Sequence, residues 1–375
     1  MWPITAPLLA LAGWSLLSAL WAGDAVLSLY LGLRLLLLAA VYLAVVNLRP
    51  PAWVAQVGIA LSLGIQVAVA ALQFAHRGAL GWGWLGEIPL EVVLGQALQA
   101  GSWVRAAGLT PHPNILGGLM GVGGLALMPA FLRTKSKSRL AWLLALLLCG
   151  VGLILPLSRG ALLGTAVGGG FLLLALLRHP NWRAPFGRIA TSAFGAALLL
   201  AVGAALWRPR LLWQRLMDWQ PWQTRAILNQ VALQLIAQSP WLGVGVGNFS
   251  IAGIAGIGLA TLPQPVHNVP LLLLAELGPL GGGLWLWLTL LPPLWTARRI
   301  FQGRASLWET GLAAGLLALV IIDLFDFYSW GWQQGRLWRW LWLALWVNAM
   351  QEPAQPDRPR RDGETGGTPL SAPTV

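Results

Sequence analysis

The sequence predicts an all-α fold: a polytopic transmembrane bundle of about ten spans with a long outer loop that contains an amphipathic helix. Three observations carry that expectation. Of 375 residues, 57% are hydrophobic and only 10% charged, against roughly 25% charged in a soluble domain. Mean hydropathy is +0.69, and the apolar residues fall in blocks close to the roughly 20 helical residues that cross a hydrocarbon core. The alternating ten-residue segments of a membrane β-barrel do not occur.

In chain order the apolar runs place spans near 4–22, 25–47, 52–74, 114–132, 140–157, 160–177, 189–207, 268–291, 306–325 and 336–350. The first has no basic segment before it and reads as an uncleaved span. Residues 1–350 therefore form one transmembrane domain. Residues 351–375, rich in Pro, Gly, Thr, Asp and Arg, read as a disordered tail.

Charge sets the expected orientation. Arg49, Arg133, Lys135, Lys137, Arg139, Arg178, Arg183, Arg188, Arg298, Arg299 and Arg304 occupy alternate connections, and Arg358, Arg360 and Arg361 the tail. By the positive-inside rule that face is cytoplasmic, with both termini inside the bacterial cytoplasmic (inner) membrane. The net charge of +12 is thus accounted for by topology, and the basic residues form no nucleic-acid motif. The single cysteine, Cys149, excludes an internal disulfide.

The other face carries two long connections, 76–113 and 208–267. Loops of that length are usually functional or disordered; their apolar content (88–98 and 227–236) argues against disorder and suits amphipathic helices on the membrane surface. Arg77, Arg105, Arg159, Arg208, Arg210, Arg215 and Arg225 fall on this face, against the positive-inside trend. Arginine keeps its charge and matches phosphate oxygens bidentately, although an arginine near a span end also snorkels to lipid headgroups. Arg159 sits between two apolar blocks with almost no loop. Arg225 is expected in the first turn of a helix with apolar positions 227, 228, 231, 235 and 236, closed by Pro240. A cation there opposes the helix dipole, which points to a ligand.

Gly243, Gly245 and Gly247 resemble a phosphate-cradling loop but lack the flanking strand and Lys-Ser/Thr, so a tight turn is expected. His267 precedes the span at 268–291 and is a candidate base or a helix-end residue. His112, Pro113 and Asn114 fit a helix start. Glu276, Asp323 and Asp326 lie in apolar sequence and must pair or face a wet cavity, and Arg34 needs a partner too. No metal-binding cluster is apparent in the sequence, which predicts a mechanism with no metal or other cofactor.

The segments Leu157–Ala161, Arg225 with Pro240–Phe249, and His267–Leu271 through Glu276–Gly278 together resemble the shared domain of O-antigen ligases and polymerases. The stretch Arg105–Asn114 is similar to the same family, so the likeness spans about 100–290. Pro270 departs from it, since an aromatic or aliphatic residue is more usual there, and the loop is compact. The resemblance implies a glycosyltransferase-C-like fold and an undecaprenyl-pyrophosphate-linked glycan donor. It also implies a lipid- or glycan-linked acceptor and work at the outer (periplasmic) face. On that reading His267, Arg225 and Arg159 are catalytic. Arg105, His112, Asn114, Arg215, Asn268 and Glu276 bind substrate. A transporter of a small anion or a lipid-linked sugar is the alternative; it predicts matched halves or paired broken helices, which the sequence lacks.

Overall fold

The computed structural model describes residues 2–89, 105–135, 137–178, 220–257 and 264–351, and among them every regular element is helical. Three long helices open the chain: α1 (Trp2–Leu17, followed by a 3₁₀ turn Ser18–Leu20), α2 (Ala25–Leu48) and α3 (Ala52–His76). The central group is α4 (Pro113–Arg133), α5 (Arg139–Ile154) and α6 (Arg159–Arg178). The second long connection supplies α7 (Gln220–Gln238) and α8 (Phe249–Ile257). The chain ends in α9 (Val269–Phe301), α10 (Leu307–Asp323), the single turn α11 (Tyr328–Gly331) and α12 (Gln333–Gln351).

Nine of the ten predicted spans coincide with helices. Six helices are long and apolar enough to cross a membrane: the first with its 3₁₀ turn, α2, α3, α4, α6 and α9. The predicted span at 189–207, the helix expected over 88–98, the tail beyond 351 and Arg208, Arg210 and Arg215 lie outside the described residues.

Helices α4 and α10 form the centre and are buried on nearly every side. The peripheral helices bury one face and turn Leu and Val outward, as Leu29, Leu33 and Leu37 do on α2 and Leu144 and Leu148 on α5. Lipid removes the hydrophobic drive between helices, so close packing must supply it. Small residues provide that here. A Cβ on Gly164 of α6 would lie 2.6 Å from the Ala318 carbonyl of α10, and one on Gly168 2.5 Å from that of Ala314.

The two ends of the bundle differ in chemistry. At one end Arg139 lies 4.6 Å over the Phe131 ring, Arg178 lies 4.7 Å over Phe301, and Arg299 pairs with the buried Glu309 at 2.9 Å. The other end gathers the starts of α4, α6 and α9 and the end of α10, and it holds the candidate site.

Helix α9 is longer than the predicted 268–291 and is broken at Gly278 (φ 65°, ψ −170°). Pro279 has no N–H to give to the Ala275 carbonyl, so the break follows from the sequence. Outside groups satisfy the freed carbonyls. Val244 N–H donates to Ala275 O at 2.9 Å, Gly245 N–H to Glu276 O at 2.8 Å, and the Trp14 indole to Leu277 O at 2.8 Å.

Candidate functional site

The α5–α6 turn sets the first arginine. Leu157 adopts φ 48°, an uncommon left-handed conformation for a non-glycine residue. Ser158 Oγ then accepts from Ala161 N–H, and its carbonyl accepts from Leu162 N–H. Arg159 is therefore the first residue of α6, where the chain reverses between two apolar helices.

A second strand of contacts holds Arg105. Gln73 of α3 accepts from Ala107 and Gly108 N–H (3.1 and 2.8 Å) and donates to Gly108 O and Glu87 Oε1 (2.9 and 2.7 Å). Glu87 is buried, which by itself raises its pKa. Hydrogen bonds from Leu80, Gln73, Trp82 and Gly81 outweigh that and hold it below the usual carboxylate value. So tethered, Arg105 donates from Nε to Pro156 O at 2.7 Å and from Nη2 to Asn114 Oδ1 at 2.6 Å. Asn114 passes the contact on, donating to Asp326 Oδ2 at 2.7 Å.

Asn114, Arg159, Arg225, Phe325, Asp326 and Tyr328 line a small open pocket. Trp222 joins its two cations. The Arg159 and Arg225 guanidinium carbons each lie 5.6 Å from its ring, which packs edge-on against Phe325 at 5.9 Å. Arg225 and Trp222 are three residues apart on α7 and thus share a face. The helix begins at Gln220, so Arg225 stands in its second turn, not in the first as expected. Its buried stripe is Leu228, Val231, Ala232 and Leu235, while Ile227 is exposed. That stripe packs α7 on α9.

His267 completes the group. Its ring meets Phe327 edge-on at 5.0 Å, and Nδ1 has no hydrogen-bond partner among the described residues. Burial lowers its pKa below the ordinary histidine value. The Asp326 charge opposes that, Arg225 adds to it, and the Pro265 carbonyl raises it. The net effect is a pKa below the ordinary histidine value, which favours the neutral imidazole, a form with one nitrogen able to accept a proton.

Three of the predicted substrate-binding residues have structural work. His112 Nδ1 accepts from Asn114 N–H and caps α4, and Asn268 Oδ1 accepts from Leu271 N–H and caps α9. Glu276 is absent from the pocket. It is 3% exposed beside the glycine loop and accepts from Phe249 N–H at 3.3 Å. The glycine motif is the expected turn: Gly243, Gly245 and Gly247 all have φ between 71° and 93°, and the loop seals the break in α9.

The three acids in apolar sequence meet different ends. Glu276 serves the loop, Asp323 pairs with the fully buried Arg339, and Asp326 faces the pocket. Neither Trp222 nor Arg339 stood out in the sequence. A spacing of three residues to Arg225 is the signal that would have found Trp222. For Arg339, the need of Asp323 for a cation within a helical bundle is the signal.

The fold and site thus define a polytopic helical membrane protein with a cationic pocket and a half-buried histidine near it at one end of the bundle. Residues 143–286 match the family model described as O-Antigen ligase. The matched segment contains Arg159, Arg225, the glycine loop, His267 and Glu276; Arg105, Asn114 and Asp326 fall outside it. No curated protein matches the chain.

Proposed function

We propose that the protein transfers a glycan from an undecaprenyl-pyrophosphate donor to an acceptor sugar hydroxyl at the outer face of the membrane. The observation that carries this reading is the convergence of Arg159, Arg225 and Asp326 on one pocket, with His267 outside its lining but within electrostatic reach of both Asp326 and Arg225. The outer-face orientation is supported by the cationic loops at the opposite end of the bundle.

The acceptor hydroxyl gives its proton to His267 as its oxygen bonds to the donor's anomeric carbon. The bond from that carbon to the pyrophosphate oxygen breaks, and the electron pair leaves on the lipid pyrophosphate. Arg159 and Arg225 neutralise that charge as it develops, a role in which one preorganised donor typically contributes about 3–4 kcal/mol. Trp222 holds both guanidiniums in place, and Asp326 steadies the imidazolium that forms. Arg105 braces Asp326 through Asn114. In-line attack inverts the anomeric configuration; a retained product would refute this sequence of steps. Ligation and repeat-unit polymerisation share this donor chemistry and differ in acceptor.

The test is glycan transfer in membranes carrying His267→Ala, with a lipid-pyrophosphate glycan supplied and protein level matched. Transfer should collapse while donor binding persists. Transfer equal to that of the parent would remove His267 from the mechanism.

A further inference from the structure

Away from the pocket, on the flank where α2 meets α12, Arg34 stands in an apolar surface. It is the tenth residue of α2, about 14 Å along the helix axis at 1.5 Å per residue. Its neighbours Leu29, Leu33 and Leu37 are 48%, 49% and 68% exposed, and together with Val26 and Val41 they form an outward apolar stripe. On the α12 side the surface continues through Trp332 and Leu337.

The guanidinium finds only neutral hydrogen-bond partners among the described residues: the Tyr30 hydroxyl at 3.0 Å and the Gln333 side-chain oxygen. A second cation, Arg336, lies close enough to feel its charge. Arg336 is itself buried and spends its donors on the Trp330 and Gly331 carbonyls. The acid that offsets it, Glu276, is enclosed behind the glycine loop. Among the described residues the flank therefore carries positive charge with no acid facing it, on a surface where an unpaired charge is strongly disfavoured.

We propose that this flank is a binding site for the phosphate headgroup of a bilayer phospholipid, distinct from the pocket. Tyr30 lies one turn nearer the start of α2, and Gln333 begins α12. The guanidinium thus reaches towards the end of the bundle that holds the candidate site, the headgroup side of the helix. A phosphate there takes the paired donors of Arg34, and an acyl chain runs on past Leu37 and Val41, the part of the stripe further from that end. That stripe selects a ligand with a hydrocarbon tail over free phosphate. The bound lipid also braces α12, whose Arg336 grips the segment leading back to Asp326 and Phe327. None of this depends on the glycan-transfer reading.

The full-length protein, purified and delipidated in a neutral detergent, is titrated with phosphatidylglycerol while bound lipid is counted by native mass spectrometry. Thermal unfolding is followed in parallel. Phosphatidylglycerol should bind and raise the melting temperature, because a ligand of the folded state stabilises it. Arg34→Gln should weaken binding about tenfold or more, the worth of one charge-assisted contact, and abolish the thermal shift. Should that variant fail to fold, Gln333→Glu keeps the cation but sets a carboxylate beside it, and the same loss is expected. Equal binding by the parent and a folded variant would overturn the proposal. So would binding of a polyprenyl diphosphate without phosphatidylglycerol, which would make the flank a donor dock.

Discussion

Gly278→Ala tests the joint between the glycine loop and the broken helix. Gly278 has φ 65° and ψ −170°, a region essentially reserved for glycine, where other residues carry roughly 1–3 kcal/mol of strain. A Cβ there would also lie 2.1 Å from the Trp241 carbonyl oxygen and 2.7 Å from its carbon. Both are backbone atoms of a loop whose own hydrogen bonds run to Ala275 and Glu276, so the overlap is relieved only by pulling the loop off the helix. Strain and displacement together should cost at least about 3 kcal/mol. For a chain of this size that lowers the melting temperature by roughly 5 °C or more. Transfer activity should fall as well, because the loop follows α7 directly and fixes the helix that carries Arg225. The matched control is Gly283→Ala, five residues along the same helix, where an added Cβ meets nothing within 4 Å. It should be neutral or slightly stabilising, since alanine favours a helix over glycine by about 1 kcal/mol. Thermal unfolding in detergent reads both variants. If Gly278→Ala melts with the parent and Gly283→Ala, the loop does not depend on this contact and the reasoning fails.

Two further expectations concern the pocket. Because burial lowers the His267 pKa, the base is present above its folded value and is lost only as pH falls below the ordinary 6.5. The acid limb of kcat/KM should therefore lie below 6.5, and Asp326→Asn, which removes a charge that raises this pKa, should move it lower; a limb above 6.5 contradicts the assignment. Arg225→Ala should lower the transfer rate by about 10²–10³. Arg225→Lys should recover little of it, because a lysine lacks the forked guanidinium, which sits 5.6 Å from the Trp222 ring and whose donors match a pyrophosphate. Full rescue by lysine would show that charge alone suffices.

Most of the helices could be read from the sequence because membrane helices announce themselves locally, through length and hydropathy. Helix α4 starts at the expected Pro113 and α6 at Arg159, each one residue from the predicted span. Misses occur where local signals stop. The start of α7 at Gln220 is hidden because polar Gln220 and Gln223 interrupt the apolar period, and it moves Arg225 from the first turn to the second. The resemblance implies a substrate-binding Glu276, and the structure buries that carboxylate beside the glycine loop. Its partner, the N–H of Phe249, opens α8 just past that loop, and nothing in the local sequence pairs the two.

Composition, block length and the placement of arginine and lysine were enough to determine a helical membrane bundle, with chemistry expected on the face opposite the basic loops. These are properties of each segment meeting its solvent, and solvent acts on residues one at a time. The order of the motifs also named Arg159, Arg225 and His267 as candidates. Only the tertiary structure decided which groups share a pocket. It turned Asp326 towards Asn114 and His267, gave Asp323 to Arg339 and closed Glu276 behind the glycine loop. The three acids look alike in sequence because each lies in apolar surroundings. Their roles separate only when helices distant in the chain bring a cation, an amide or a cavity against each one.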